Sequence, residues 1–272
     1  MHVVTVGRKA GTPAVATVPP VRPLVILPTY QESANVAAVL ARLREAVPEA
    51  MILVVDDASP DGTADIAEKM GAELGNIEVL RRPGKDGLGS AYRAGFIKGL
   101  ERGFDVMVEI DADGSHDPAA LPSLLAAIDA GADLVIGSRY VPGGAIPDWP
   151  QTRRFISVGG NRYAAALLRL DVRDATAGFR AYRAEILRQI NLPAIRADGY
   201  GFQVEMVYRV ARLGGRIVEV PITFTDRVEG DSKMSWRIVF EAFVLVTLWG
   251  IRDRLPGRRR RSRRGFPAGE VG

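Results

Sequence analysis

Three short acidic clusters hold most of the chemistry this sequence offers, and each follows a run of apolar residues. The sharpest is Asp111-Ala112-Asp113. Two hard carboxylates separated by one small residue can share a divalent cation, and Ala112 lets backbone come close to a ligand. A cation such as Mg²⁺ or Mn²⁺ is commonly held this way, by few carboxylates and the oxygens of a substrate phosphate. The second cluster opens the stretch DDASPDGT at Asp56 and Asp57. Adjacent carboxylates suit recognition of a base and a ribose, while Ser59-Pro60-Asp61-Gly62 is a turn whose Asp61 or Thr63 can cap the next helix. We assign Asp57 to a ligand, and Asp61, Gly62 and Thr63 to structure. The third is Pro28-Thr29-Tyr30-Gln31-Glu32. Tyr30 offers a ring for stacking on a base, and Glu32 an acceptor for a ring N–H or a ribose hydroxyl. The plainer alternative is a strand-to-helix turn with Glu32 at the helix N-terminus.

Basic groups form two further sets. Arg139 lies in Ser138-Arg139-Tyr140, and Arg153, Arg154 and Ser157 follow a Pro/Gly loop. Arg227 and Lys233 share the stretch DRVEGDSK. Arginine forks match phosphate oxygens in pairs. His116 reads as a plain loop histidine. Gly84–Ser90 lacks the G-x-x-x-x-G-K-[ST] spacing of a phosphate loop and reads as a flexible loop with a helix N-cap near a ligand.

Composition removes several other chemistries. The 272 residues contain no cysteine, which excludes a disulfide framework, a thiolate zinc site and a cysteine nucleophile. With only His2 and His116, a histidine-rich metal site is excluded as well. The net charge of +4 is a property of the C-terminus: residues 252–272 carry eight arginines against Asp253 and Glu270. That run, RRRRSRR at 258–264, lacks interleaved aromatics, so no specific nucleic-acid partner is expected. The longest apolar stretch, Ile238–Ile251, has 14 residues and includes Glu241, short of the roughly 20 a membrane span requires.

The elements that must position these groups follow from periodicity. Apolar runs at Leu24–Leu27, Met51–Val55, Ile77–Leu80, Val106–Ile110 and Asp133–Ile136 read as strands. Between them Ala34–Ala46, Thr63–Leu74, Ser90–Arg102 and Pro118–Ala130 have helical spacing. Strands alternating with helices predict an α/β domain with a mostly parallel sheet flanked by helices. Beyond Gly137 the rhythm changes: helices are expected at Phe155–Leu170, Ala184–Ile190, Phe202–Leu213 and Ser235–Ile251, and a strand at Arg216–Pro221. Residues 1–21 read as a flexible leader, 22–251 as one catalytic domain, and 252–272 as a basic disordered tail. In such sheets ligands bind beyond the carboxyl ends of the strands, where all three acidic clusters fall.

Taken together, PTYQE (28–32), VVDDASPDGT (54–63), DADGSHDP (111–118), GSRY (137–140), TAGFRAY (176–182), GYGFQVEM (199–206) and DRVEGDSKM (226–234) resemble the polyprenol- and dolichol-phosphate mannosyltransferases of glycosyltransferase family 2. The resemblance spans about Leu24 to Trp249 and favours the actinobacterial branch. It implies a GT-A fold, a Rossmann-like α/β domain, and inverting transfer of mannose from GDP-mannose to a polyprenyl phosphate. A related transferase using another UDP- or GDP-sugar is the alternative. Pro28, Tyr30, Glu32, Val55 and Asp57 match nucleotide-binding positions. Asp111, Ala112 and Asp113 match the metal and diphosphate site, for Mg²⁺ or Mn²⁺. Arg227 and Lys233 match loop cations that close over the diphosphate. Arg139, Arg153 and Ser157 match positions that hold the acceptor phosphate, so Asp113, Arg139 and Arg153 are expected to carry the catalysis. One departure is Ser115, which stands where a relative has glutamine as a further metal ligand; water can substitute there. An acceptor in the bilayer, and no span in the chain, imply a peripheral enzyme on the cytoplasmic face of the plasma membrane. The same mismatch suggests an integral-membrane protein partner.

Overall fold

The structure is a computed structural model that describes residues 21–226 and 236–254, with backbone alone for 236–241. Residues 1–20 of the expected leader, Arg227, Lys233 and the tail beyond Arg254 lie outside the described residues.

Among the described residues seven strands form one sheet: β1 (Pro23–Thr29), β2 (Met51–Asp56), β3 (Ile77–Arg81), β4 (Val106–Glu109), β5 (Leu134–Ser138), β6 (Arg180–Arg183) and β7 (Ile217–Pro221). Their order is β3-β2-β1-β4-β6-β5-β7. All pairs are parallel except those of β6, which runs antiparallel to both β4 and β5. The long helices are α1 (Val36–Ala46), α2 (Thr63–Leu74), α3 (Leu88–Glu101), α4 (Leu121–Asp129), α5 (Gln151–Leu168), α7 (Gly199–Arg212) and α8 (Trp236–Arg254), with a short α6 at Ala184–Arg188.

The strands are apolar on both faces because both faces are covered. Leu24 and Ile26 of β1 point into a core shared with α3 and α7, and Val25 and Leu27 into one shared with α1 and α4. Glycines let α3 lie close on the first face: a Cβ on Gly95 would stand 2.5 Å from Ile26 Cγ2.

Three expectations change. β6 has no counterpart among the predicted strands. It is four residues long and begins with Arg180, a fully buried arginine that reads as polar and surface-seeking. Its guanidinium is satisfied inside by the carbonyls of Ala175, Ala177 and Gln203. α3, α5 and α7 each begin earlier than expected. α8 runs to Arg254, three residues into the expected tail, and Asp253 is tied to Tyr208 Oη at 2.8 Å.

Candidate active site

The chain turns from β1 to β2 on one side and reaches β4 on the other, so the strand order reverses between β1 and β4. A crevice at such a point is the expected ligand site. Here it is a cavity of about 460 Å³, lined by Pro28, Tyr30, Glu32, Asp57, Asp111, Ala112, Asp113, Ser115, Arg139 and Arg153, among others. The structure thus gathers most of the sequence-predicted residues in one place. Val55 is an exception: it is buried in the core, paired in register with Pro28, and does not line the cavity.

The turns after β1 and β2 brace one another. Thr29 and Ser59 donate hydroxyls to Asp56, and Ser33 N–H and Thr63 Oγ1 donate to Asp61. Burial of Asp61 works against ionisation, but these hydrogen bonds outweigh it and hold its carboxyl at about 2. Asp61 and Thr63 are therefore structural, as expected, and Asp57 faces the cavity. Burial raises the Asp57 pKa, offset in part by the Asp86 N–H at 3.2 Å and by Arg82 at 2.7 Å. Opposite, Lys85 Nζ stands 4.0 Å from the centroid of the Tyr30 ring. The Gly84–Ser90 segment thus borders the cavity beside Tyr30. Ser90 is not a helix cap; it bonds Arg82 and Asp86. The N–H of Gly89, in the first turn of α3, is instead taken by Asp198 Oδ1 at 2.7 Å, from the start of α7.

Asp111 and Asp113 leave β4 on a loop with Gly114 at φ +75°. Tyr92 donates its hydroxyl to Asp111 Oδ1 at 2.9 Å, and burial keeps that phenol protonated. Ser115 donates both its N–H and its Oγ to Asp113 Oδ1, at 3.0 and 2.6 Å. Ser115 thus orients the Asp113 carboxylate. Among the described residues no group of three or more acidic, histidine or cysteine side chains is placed to hold a metal. Two hard carboxylates lining the same cavity fit Mg²⁺ or Mn²⁺, with the remaining ligands drawn from substrate oxygens and water.

His116 is not the plain loop histidine expected. It is buried between Phe179 and Phe224, with Nε2 3.8 Å from Asp111 Oδ2. Burial lowers its pKa to about 4, so it is neutral near pH 7.

Arg139 is locked in place. Its Nε and Nη2 meet Asp174 at 2.8 and 2.7 Å, Nη2 also reaches Thr176, and Tyr140, Trp149 and Phe224 surround the guanidinium. Burial opposes ionisation of Asp174, but Arg139 outweighs it and holds the carboxyl below its ordinary range. The Arg153 guanidinium sits over Trp149, its Cζ 3.9 Å from the ring centroid, with Nη1 on Asp226 at 3.0 Å. Ser157 accepts the Tyr140 hydroxyl at 2.7 Å. Arg153 and Ser157 also line a second, mainly apolar groove of about 350 Å³ between α5 and α8. Arg154 is exposed and lines neither space. Sequence reasoning missed Lys85, Tyr92, Trp149, Asp174, Asp198 and Asp226. Lys85 lies in the Gly84–Ser90 segment and Asp226 opens DRVEGDSKM, while Asp174 and Asp198 stand just outside TAGFRAY and GYGFQVEM; those segments were the available signal.

The mostly parallel α/β sheet, with acidic strand ends converging on one crevice, is the architecture of the GT-A glycosyltransferases. The chain belongs to glycosyl transferase family 2, whose sequence profile matches residues 24–190. It is 58% identical over 240 residues to the undecaprenyl-phosphate mannosyltransferase of Micrococcus luteus, covering 88% of this chain and 98% of that one. It is 51% identical over 242 residues to the polyprenol monophosphomannose synthase of Mycolicibacterium smegmatis, covering 88% and 91%. Among solved structures, it resembles the glucosyl-3-phosphoglycerate synthase of Mycobacterium tuberculosis in complex with Mn²⁺, UDP and glucosyl-3-phosphoglycerate. There the TM-score is 0.60 at 21% identity, over 87% of this chain and 81% of that one.

Proposed function

We propose that this enzyme transfers mannose from GDP-mannose to a polyprenyl phosphate, inverting C1 to give the β-linked lipid phosphate mannose. The observation that carries the reading is a shared wall. Trp149, Arg153, Thr176 and Tyr200 line both the polar cavity and the apolar groove. A phosphate at Arg153 has room for a nucleotide sugar on one side and an isoprenoid chain on the other. The names of the two bacterial relatives supply the same acceptor and sugar.

In this reading Tyr30, Glu32 and Asp57 hold the nucleoside, and Asp111 and Asp113 hold a divalent cation with the diphosphate. When bound, the cation offsets charge on the leaving group. Arg227 and Lys233 add to that from the segment after Asp226. Arg139, Arg153 and Ser157 seat the acceptor so that its oxygen lies in line with C1. That oxygen is anionic at neutral pH and needs no protein base. Transfer passes through an oxocarbenium-like state, as in other glycosyl transfer.

The acceptor's tail places the enzyme on a membrane. Among the described residues no helix is long and apolar enough to cross one. α5 and α8 expose large apolar side chains next to the groove, Phe155 at 80% and Leu248 at 57%. We place the enzyme on the cytoplasmic leaflet by this face, with an integral-membrane partner as a further anchor.

The deciding experiment is transfer of labelled mannose into the organic phase, with and without EDTA, for wild type and Asp113→Ala. The expected result is metal-dependent label, reduced about 10²–10³-fold in the variant, the scale for loss of one charge-stabilising group. Label from UDP-glucose but not GDP-mannose would move the enzyme to another sugar donor. Full transfer by Asp113→Ala would overturn the assignment of the carboxylate.

A further inference from the structure

Asp226 already occupies the place that an acceptor phosphate would take on Arg153. Its Oδ1 accepts from Arg153 Nη1 at 3.0 Å and from Trp149 Nε1 at 2.9 Å, and its Oδ2 lies 3.3 Å from the same Nη1. The guanidinium is not saturated by this pair: Nε of Arg153 is buried and has no hydrogen-bond partner among the described residues. The pair sits at the cavity rim, with side-chain exposures of 27% for Arg153 and 43% for Asp226. Arg139, by contrast, is only 5% exposed and pairs with a fully buried carboxylate, Asp174. The two arginines of the basic wall therefore carry counter-ions of different kinds, one fixed and one replaceable.

We propose that Asp226 is an exchangeable counter-ion, a positioning residue that holds Arg153 over Trp149 until an anionic phosphate monoester displaces it. This rests on the reading that Arg153 seats the acceptor phosphate. A partly exposed carboxylate–arginine pair is weak. A phosphate monoester carries more charge and more acceptor oxygens than a carboxylate, so it competes with Asp226 for Nη1. Asp226 thus lowers apparent affinity for the acceptor and keeps Arg153 preorganised and charge-compensated in its absence.

The test compares wild type, Asp226→Asn and Arg153→Met, each as the full chain, with farnesyl phosphate as acceptor. The asparagine can still accept from Trp149 Nε1 but carries no charge. Asp226→Asn is expected to lower the acceptor KM about two- to fivefold at low salt, the range of an exposed ion pair expressed as affinity. The gain should shrink in salt, with donor KM unchanged. A second readout is tryptophan emission in a Trp236→Phe, Trp249→Phe background, which leaves Trp149 as the reporter. Farnesyl phosphate should shift that emission in the Asp226 protein, by taking the partner of Nε1, and shift it less in Asp226→Asn. An unchanged or raised acceptor KM in Asp226→Asn, with Arg153→Met impaired, overturns the exchange while leaving the acceptor seat intact. An acceptor KM unaffected by Arg153→Met overturns the seat itself, and the exchange with it.

Discussion

Asp174 is fully buried, 35 residues from the arginine it holds, and nothing in the local sequence marks it as that partner. Arg139 was legible because it follows an apolar strand in a basic, polar turn. Its counter-ion was not, since a partner from another segment leaves no periodic trace. The same is true of His116, whose enclosure by Phe179 and Phe224 comes from two other segments. The acidic residues at strand ends could be read because each directly follows its own apolar run. Asp174→Asn would leave a buried guanidinium without a counter-charge, and should destabilise the protein by about 3–5 kcal/mol. Urea unfolding checks this. The pH dependence has a definite sign. The native Asp174 carboxyl titrates below its ordinary value, so its contribution is complete above about 3.9, the usual unfolded figure. It is lost as pH falls through the lower native value. The gap in urea midpoint between wild type and Asp174→Asn should therefore narrow from pH 7 to pH 3, and a gap independent of pH would count against the ion pair.

At the scale of elements, the five strands through Ile136 were readable from apolar runs, because a sheet covered on both faces needs no alternation. β6 was not readable. Four residues cannot establish a period, and a fully buried Arg180 only makes sense once the carbonyls of Ala175, Ala177 and Gln203 are seen around it. Starts of helices were missed for a related reason: Gly89 in α3 is capped by Asp198, 109 residues away, so no local capping residue announces the turn. The close seating of α3 on β1 yields a sharp test. In an exposed helix, Gly→Ala gains about 1 kcal/mol of helix propensity. At Gly95 the added Cβ would stand 2.5 Å from Ile26 Cγ2 and 3.0 Å from its Cδ1 and Cγ1. Overpacking of this kind costs about 1–3 kcal/mol. The steric cost wins, because Ile26 is itself buried in a strand between two neighbours. Gly95→Ala should lower the urea midpoint, and because α3 carries Tyr92, the support of Asp111, it should also lower transfer activity. A stabilised variant would mean that β1 and α3 yield more easily than this packing implies.

The whole molecule brings two unlike surfaces together. The polar cavity lies at the strand ends, and the apolar groove between α5 and α8 opens beside it, with Phe155, Ile156, Phe243, Leu248 and Ile251 exposed on those two helices. Leaving apolar side chains in water is unfavourable by about 25 cal/mol per Å², so a cluster of them calls for a partner surface. The reading of a polyprenyl phosphate acceptor makes that surface a bilayer. The arginine run at 258–264 adds a second attraction, about 1 kcal/mol for each basic residue near anionic lipid. The two contributions separate by experiment. Deleting residues 257–272 should weaken binding to vesicles containing anionic lipid, have little effect on neutral vesicles, and leave transfer to a detergent-dispersed acceptor intact. Phe155→Asp with Leu248→Asp should instead weaken binding to both vesicle types, because insertion of apolar side chains does not depend on lipid charge. Co-sedimentation at low and high salt reads both outcomes, with only the tail's share falling in salt. If the double aspartate variant sediments with neutral vesicles as wild type does, α5 and α8 do not face the lipid, and their apolar side chains require a protein partner.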